Sequence, residues 1–250
     1  MTVIDVSEHQ GTVDWERVKP HIDGAMLRAG YGKGNEDKQF ARNAAECNRL
    51  GIPCGAYWFS YAYSSEMAAK EATALLGAVK PYRMELPLAF DFEYDSVLYA
   101  KQHGVTVTKA LASSMAKAFC NGIEDGGYYV LLYANPDFLQ NYFGADIKER
   151  FGIWLASWSV EKPQYDCQLW QYSNRGSVDG IRGDVDLNEA FLHFPSLISS
   201  AHLNNLKESD AVKWAREMGI TSNKDIANAL WRYHAIYSAE DGKTESGLLV

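Results

Sequence analysis

The sequence contains no apolar run that approaches the roughly 20 residues needed to span a membrane, and positive charge is scarce. Its 250 residues include 24 Lys and Arg against 32 Asp and Glu, which gives a formal net charge of -8. Nucleic acids require a basic binding surface, and anionic lipids attract one. We therefore expect neither nucleic acid nor a membrane among the partners of this chain.

Cysteine is also scarce. The four cysteines form no CxxC pair, and their spacing from the six histidines matches no zinc site. We expect free, mostly buried thiols rather than disulfides. The sequence indicates no cofactor.

What the sequence does contain is a regular alternation of strand-like and helix-like segments. Strands are predicted at residues 2–6, 25–29, 53–59, 86–92 and 128–133, and helices at 37–50, 65–80 and 108–123. Three further strands, at 153–157, 168–172 and 184–187, follow without a helix-length segment between them. This order predicts an eight-stranded α/β barrel whose late part is nearly all β.

The composition changes after the last predicted strand. We expect a barrel domain over residues 1–198, a linker over 199–206 and a small helical module over 207–250. Two short helices cannot build much of a core on their own. They would therefore pack on the barrel or on a second copy of the chain, so a homo-oligomer through these helices is possible.

The most informative segment is 86–94, where two carboxylates follow an apolar run. A strand with Leu86, Leu88 and Phe90 as its apolar body would end in Asp91 and Glu93. Because alternate residues of a strand share a face, these two acids are predicted to lie side by side at the mouth of the barrel.

Two more aspartates are predicted to join them. Asp5 ends the first strand and Asp186 ends the last, and these strands are neighbours in a closed barrel. Four crowded carboxyls cannot all ionise, so at least one would stay protonated and could act as a general acid. Strand-end acids that only cap helices or form ion pairs are one alternative. A Mg²⁺ or Ca²⁺ site is another, although no phosphate-binding loop or EF-hand pattern accompanies these acids.

Seven short motifs, in order along residues 1–195, resemble glycoside hydrolase family 25. They are residues 5–15 (DVSEHQGTVDW), 27–32 (LRAGYG), 51–59 (GIPCGAYWF), 90–93 (FDFE), 154–156 (WLA), 169–172 (LWQY) and 185–188 (VDLN). The resemblance implies an irregular, flattened (β/α)5(β)3 TIM-like barrel. It also implies a muramidase that cuts the β-1,4 bond between N-acetylmuramic acid and N-acetylglucosamine.

The resemblance further implies a role for each acid. Glu93 would protonate the leaving glycosidic oxygen, and Asp91 would stabilise the positive charge that develops on the sugar and its N-acetyl group. Asp5 and Asp186 would complete the cluster and hold the substrate or a catalytic water. Attack by water and assistance by the substrate's own N-acetyl carbonyl are both open at this stage.

Several other residues are candidates for substrate contact because sugars stack on aromatic rings and bond to polar tips. Tyr57 and Tyr133 are favoured, since their hydroxyls could stay in contact with water at the rim. Arg28 would orient Asp5 or its neighbours more readily than contact sugar, and His9 could line the groove or cap a loop. The remaining candidates are Phe59, Trp154, Trp158 and Gln171, and for each aromatic core packing is an equal alternative.

The resemblance implies bacterial peptidoglycan as the partner. The amino end lacks the pattern of a secretory signal, so we expect synthesis in a host cytoplasm and action on the cell wall after release, as in an endolysin for phage-mediated lysis. The residues 207–250 would then bind the wall or mediate oligomerisation. The alternatives are a bacterial autolysin, a hydrolase of another N-acetylated glycan, and a non-catalytic glycan-binding module on the same fold.

Overall fold

In the computed structural model, which describes residues 1–201, eight strands form a closed barrel and a ninth, two-residue strand pairs outside it. The strands are β1 (Thr2–Val6), β2 (Gly24–Tyr31), β3 (Asn35–Glu36), β4 (Cys54–Phe59), β5 (Leu88–Asp91), β6 (Val130–Ala134), β7 (Gly152–Ala156), β8 (Leu169–Gly176) and β9 (Val185–Ala190).

Most neighbouring strands of the barrel are parallel, and only the last strand runs the other way. The order is β1, β9, β8, β7, β6, β5, β4, β2, and β1 closes the barrel by pairing with β2. Strand β9 is antiparallel to both β8 and β1. The predicted eight-stranded α/β barrel and the neighbouring positions of its first and last strands are therefore confirmed.

Helices cover the outside of the early strands. They are α1 (Trp15–Val18), α2 (Phe40–Leu50), α3 (Ser65–Val79), α4 (Tyr94–Gln102), α5 (Lys109–Asp125), α6 (Pro136–Asn141), α7 (Ala145–Arg150) and α8 (Phe194–Ala201), with 3-10 turns at Glu8–Gln10 and Lys19–His21. Side-chain caps define several of the starts: the hydroxyl of Ser64 accepts from Met67 N–H before α3, and that of Thr108 accepts from Leu111 N–H before α5. As predicted, no helix separates β7, β8 and β9.

The apolar residues of β5, Leu88 and Phe90, face the opposite way from the carboxylates. Leu88 and Phe90 point outward into the layer between sheet and helices, where Phe90 and Phe119 have ring centroids 4.8 Å apart. Asp91 shares its side of the strand with Ala89, which packs inside the barrel. The reason is strict alternation, since 88 and 90 cannot share a face with 91 and 93.

The end of the described chain bears on the predicted domain organisation. Helix α8 runs to Ala201 and so includes the first three residues of the range predicted as a linker. The rest of that range and the predicted helical module at 207–250 lie outside the described residues. Within residues 1–201, none of the helices combines the length and apolar character needed to cross a bilayer.

Candidate active site

The four carboxyl groups predicted to form a cluster line one cavity at one end of the barrel. Asp5 in β1 lies directly opposite Asp186 in β9, Asp91 is the last residue of β5, and Glu93 is the N-cap of α4. The cavity has a volume of about 260 Å³, and all four side chains line it. Closure of the barrel thus brings together acids that are far apart in the sequence.

Glu93 lies on the same side as Asp91 although β5 ends between them. Its backbone is still extended, with φ -128° and ψ -171°, so the alternation of the strand continues through it. Helix α4 begins at the next residue, and the N–H of Glu93 donates to Ser96 Oγ at 3.0 Å. The start of α4 therefore fixes the backbone that carries the Glu93 carboxyl.

Asp5 is held by two side-chain amides that donate to the same carboxyl oxygen. Gln171 Nε2 lies 3.0 Å from Asp5 Oδ2, and Asn188 Nδ2 lies 2.8 Å from it. The indole N–H of Trp154, which can only donate, is 2.7 Å from Asn188 Oδ1 and so turns the NH₂ group of that amide toward Asp5. Because Oδ2 accepts both hydrogen bonds, a proton on Asp5 is confined to Oδ1.

The orientation of Gln171 is fixed in the same way. Its Oε1 accepts from the hydroxyl of Tyr133 and from the indole N–H of Trp158, each at 3.1 Å. An indole N–H cannot accept, so the NH₂ group of Gln171 must face Asp5. The groups around the two amides thus determine how Asp5 is bound.

The pair formed by Asp5 and Asp186 holds its protons more tightly than isolated aspartates do. Burial raises the pKa of Asp5 well above its ordinary value, and the charge of Asp186 raises it further, while the bonds from Asn188 and Gln171 act in the opposite direction. Burial also raises the pKa of Asp186, although its hydrogen bond with Asp5 lowers it. One of these two opposed carboxyls therefore stays protonated above the usual carboxyl range.

Asp91 and Glu93 form the second pair. Burial raises the pKa of Asp91 well above its ordinary value, and the charges of Glu93 and Asp5 add to this. Burial raises the pKa of Glu93 as well, with the charges of Asp95 and Asp186 adding to it and a hydrogen bond with Asp91 opposing it. The Oδ1 atom of Asp91 is buried and has no hydrogen-bond partner within the described residues. Such an oxygen favours a bound group that can donate to it.

The arrangement can therefore hold a protonated carboxyl beside ionised ones in a partly buried cavity. This is what general acid catalysis next to a developing positive charge requires. Within residues 1–201, His, Cys, Asp and Glu side chains form no cluster of three or more that is arranged to hold a metal ion.

Arg28, which was expected to orient Asp5 or its neighbours, forms no hydrogen bond with Asp5. Its Nε donates to Asp37 Oδ2 at 2.8 Å and its Nη2 donates to Glu8 Oε1 at 3.3 Å. The amides of Gln171 and Asn188 occupy the place at Asp5 instead. Arg28 still lines the cavity, and its charge lowers the pKa of Asp91.

Tyr57, Phe59 and His9 also line the cavity, as the sequence predicted. Tyr57 and Phe59 lie on one face at the end of β4 and are half-buried, whereas His9 is exposed. Burial raises the pKa of the Tyr57 hydroxyl well above its ordinary value, and the charges of Asp5 and Asp91 raise it further. Tyr57 therefore stays neutral and can act as a hydrogen-bond donor.

Tyr133 and Trp154 are more deeply buried than the sequence suggested. Tyr133 is 8% exposed and its hydroxyl donates to Gln171 inside the barrel, so the expectation that this hydroxyl stays in contact with water was wrong. Trp154 is 1% exposed and packs edge-on against the rings of Tyr57 and Tyr133. Both border the cavity, and both hold the two amides that bind Asp5 in place.

Asn188 is a site residue that the sequence reasoning missed. It is fully buried and donates to Asp5. A signal was available, since Asn188 follows Asp186 by two positions and strand alternation places both on the inner face of β9.

A larger groove, of about 590 Å³, lies next to this cavity and shares Gln10 with it. Its acids are Asp14 and Asp179, and Asp179 forms an ion pair with Arg17 at the surface. Both of these acids are exposed, whereas Asp5 and Asp91 of the smaller cavity are buried, so we place the chemistry in the smaller one.

Comparison with known proteins gives a consistent picture. The family described as Glycosyl hydrolases family 25 matches residues 4–181. Lysozyme M1 of Streptomyces globisporus is 27% identical over 199 residues, which cover 74% of this chain and 66% of that protein.

Two solved structures are similar. A family 25 glycosyl hydrolase from Bacillus anthracis is 26% identical, with a TM-score of 0.65 over 77% of this chain and 89% of that one. The modular autolysin LytC from Streptococcus pneumoniae, solved with a synthetic peptidoglycan ligand, is 29% identical, with a TM-score of 0.63 over 75% of this chain and 46% of that one. The family match includes Asp5, Asp91 and Glu93 and ends before Asp186.

Proposed function

This chain belongs to glycosyl hydrolases family 25 and is a glycoside hydrolase, and we propose that it hydrolyses peptidoglycan between N-acetylmuramic acid and N-acetylglucosamine. Membership of the family confirms the resemblance identified in the sequence. The observation that carries the proposal is the pair formed by the buried Asp91 and the half-buried Glu93, both with raised pKa values, in the cavity at the end of the barrel.

The relatives support peptidoglycan as the substrate. Lysozyme M1 carries the name of a lysozyme, and LytC was solved with a peptidoglycan ligand. Net charge of -8 gives this chain no electrostatic attraction to an anionic polymer, so shape, aromatic contact and hydrogen bonds would hold the substrate.

We assign Glu93 as the general acid that protonates the leaving glycosidic oxygen. Burial raises the pKa values of both Glu93 and Asp91, so the pair retains a proton to higher pH. Glu93 would deliver this shared proton to the leaving oxygen and leave Asp91 ionised. Asp91, with one oxygen buried and unbonded within the described residues, would accept from the N-acetyl N–H of the sugar and stabilise the positive charge that develops there. The pair of Asp5 and Asp186 would hold the substrate or the attacking water.

The positions of the two central acids favour some routes over others. Asp91 lies beside Glu93, two residues away on the same side of the cavity. An ordinary double-displacement enzyme instead places its nucleophile across the scissile bond, about 5–5.5 Å from the acid. The placement therefore supports attack by water or by the N-acetyl carbonyl of the substrate, and the anomeric configuration of the first product distinguishes these two routes.

The cavity rim supplies the proposed contacts with the substrate. Tyr57 and Phe59 offer ring faces at the end of β4, and His9 and Arg28 offer polar groups beside them. Three buried residues would contribute indirectly, through the hydrogen bonds that hold Asp5 in place: Tyr133, Trp154 and Gln171.

We propose the bacterial cell wall as the target and phage-mediated host lysis as the biological role. An autolysin is the second candidate, because the similar protein LytC is an autolysin. Expression in a bacterial host separates the two. An endolysin is expected to lyse cells only after the membrane has been permeabilised, whereas an exported autolysin would lyse growing cells without that step.

We also propose that residues 1–198 form the catalytic unit and that residues 207–250 bind the wall or a second copy of the chain. Deletion of residues 207–250 is then expected to leave cleavage of soluble fragments unchanged and to lower activity on whole walls. Equal activity of the shortened and full-length chains on whole walls would show that residues 207–250 do not aid hydrolysis by binding the wall or a second copy.

Release of reducing ends from purified peptidoglycan tests the proposed activity. Glu93→Gln removes the proton donor but keeps the shape of the side chain, so turnover should fall by at least about 10²-fold with folding and wall binding intact. Glu66→Gln, at an exposed position of α3, is the matched control and should hydrolyse like wild type. Wall binding without any release by wild type would instead identify a non-catalytic glycan-binding module.

A further inference from the structure

Trp158 is both exposed to solvent and anchored by a hydrogen bond. The side chain is 45% exposed, although tryptophan is the largest apolar residue. Its indole N–H is nevertheless anchored, since it donates to Gln171 Oε1 at 3.1 Å, and Gln171 lines the catalytic cavity. The ring is therefore tethered to Gln171, a lining residue of that cavity, with much of its surface open to solvent.

The backbone around Trp158 is strained and firmly tied. Ser159 has φ 61°, and within residues 1–201 it is the one non-glycine residue with a positive φ. Such a conformation costs about 1–3 kcal/mol and persists only where the surroundings impose it. Here Ser157 provides those surroundings: its N–H donates to the carbonyl of Gln171 at 3.1 Å, and its carbonyl accepts from the indole N–H of Trp170 at 2.9 Å. Val160, on the other side, packs against the core.

A strained backbone that keeps a large aromatic ring in water has no benefit for stability. Burying the ring would be favourable, since aromatic side chains dominate the apolar area that proteins bury. Carbohydrate recognition explains why the strained backbone and the exposed ring are retained. The C–H face of a pyranose packs against a flat aromatic ring whose orientation is already fixed.

We propose that Trp158 is a sugar-stacking residue of the substrate site, which packs against an N-acetylated pyranose at the rim of the catalytic cavity. This inference rests on the proposed function, because it takes the glycan from there. It adds a binding contact on the β7 side of the cavity, beyond the contacts proposed at the end of β4.

The alternative role for Trp158 is to position Gln171, and the structure allows the two roles to be separated. Gln171 Oε1 also accepts from Tyr133 at 3.1 Å, so its amide stays oriented when the indole N–H is lost. Trp158→Phe therefore keeps a flat ring and removes only the hydrogen bond. Trp158→Ala removes both the ring and the hydrogen bond.

Binding of an N-acetylglucosamine tetrasaccharide, measured by titration calorimetry, and the kinetics of peptidoglycan hydrolysis test the proposal together. Trp158→Ala should weaken tetrasaccharide binding and raise KM by about tenfold, with kcat within about twofold of wild type. Trp158→Phe should keep both values within about threefold. The matched control is Phe191→Ala, which removes a ring that is 41% exposed. Phe191 directly follows Ala190, which bonds to Met1 at the end of the barrel opposite the carboxyls.

Two results would overturn the proposal. The first is that Trp158→Ala binds the tetrasaccharide as tightly as wild type and has the same KM. The other is an equal loss of kcat in both variants with KM unchanged, which would make Trp158 a positioning residue. If Trp158→Ala does not fold, Trp158→Leu keeps apolar bulk without a flat ring and should show the same loss. Failure of the proposed function is distinguishable, since wild type would then bind the tetrasaccharide through Trp158 but release no reducing ends.

Discussion

Asp5 and Asp186 oppose each other directly across the antiparallel pair of β1 and β9, next to the seam where β1 closes the barrel on β2. Burial raises the pKa values of both carboxyls, and the charge of Asp186 raises that of Asp5 further. The pKa values of these carboxyls therefore depend on closure of the barrel. Substitutions that disturb the seam should alter pH dependence as well as stability.

Asn188→Asp tests the hydrogen bonds that hold Asp5. The change removes the donor 2.8 Å from Asp5 Oδ2 and places a like charge there, in a fully buried position. We expect a loss of about 2–4 kcal/mol in the free energy of unfolding, measured with urea, together with a large loss of kcat. Asn141→Asp, at an exposed site, is the control and should change stability by less than about 1 kcal/mol. Equal, small effects of the two substitutions would show that the amide of Asn188 is dispensable.

Glu71→Gln tests a buried acid outside the cavity. Glu71 is 2% exposed and accepts from Ser60 Oγ–H and from Tyr61 N–H, and burial raises its pKa from the ordinary 4.5 to about 8. A raised acid pKa means that its contribution to stability is complete below pH 4.5 and is lost as pH rises through about 8. The full rise corresponds to roughly 5 kcal/mol.

Removal of that carboxyl should therefore flatten the decline of stability between pH 4.5 and 8. Urea unfolding across this range provides the measurement. Glu66→Gln, exposed on the same helix, should leave the decline as it is in wild type. A decline of the same slope in Glu71→Gln would show that other groups cause it.

Asp95→Asn tests whether a neighbouring charge helps to raise the pKa of Glu93. The exposed Asp95 contributes a charge that raises the pKa of Glu93. Because a general acid must be protonated, kcat is expected to fall as pH rises through that pKa. Removal of the charge should move this descending limb to lower pH, and added salt should shrink the difference. A move toward higher pH would contradict the assignment.

Gly30→Ala and Gly77→Ala are expected to act in opposite directions. A Cβ on Gly30 would lie 2.4 Å from the carbonyl oxygen of Asn35 and 2.5 Å from the ring of Trp58. Overpacking of this kind should destabilise the fold by about 1–3 kcal/mol. Gly77 lies within α3 with nothing within 4 Å of its added Cβ, so its replacement should stabilise by about 0.5–1 kcal/mol. Thermal unfolding of both variants checks the signs, and a stabilising Gly30→Ala would show that the contacts around β2 relax freely.

The cluster of acids could be predicted from the sequence because it depends on topology alone. Asp5 and Asp186 end the first and last strands, and closure of a barrel makes those strands neighbours. Asp91 and Glu93 differ by two positions, so alternation places them together. No knowledge of side-chain packing was needed for either step.

Features that depend on packing could not be predicted. The partners of Arg28 and the hydroxyl of Tyr133 are set by distances across the barrel, which periodicity does not encode. Helix α4 was missed because the helix-like segment at 108–123 already supplied the helix expected after β5.

The most direct test of the account is mass analysis of the new reducing ends that the wild-type chain and Glu93→Gln release from purified peptidoglycan. Borohydride reduction before digestion products are analysed labels the sugar at each new end. The account predicts N-acetylmuramic acid at the new reducing ends for wild type and none for Glu93→Gln. N-acetylglucosamine at those ends, or equal release by the variant, would contradict it.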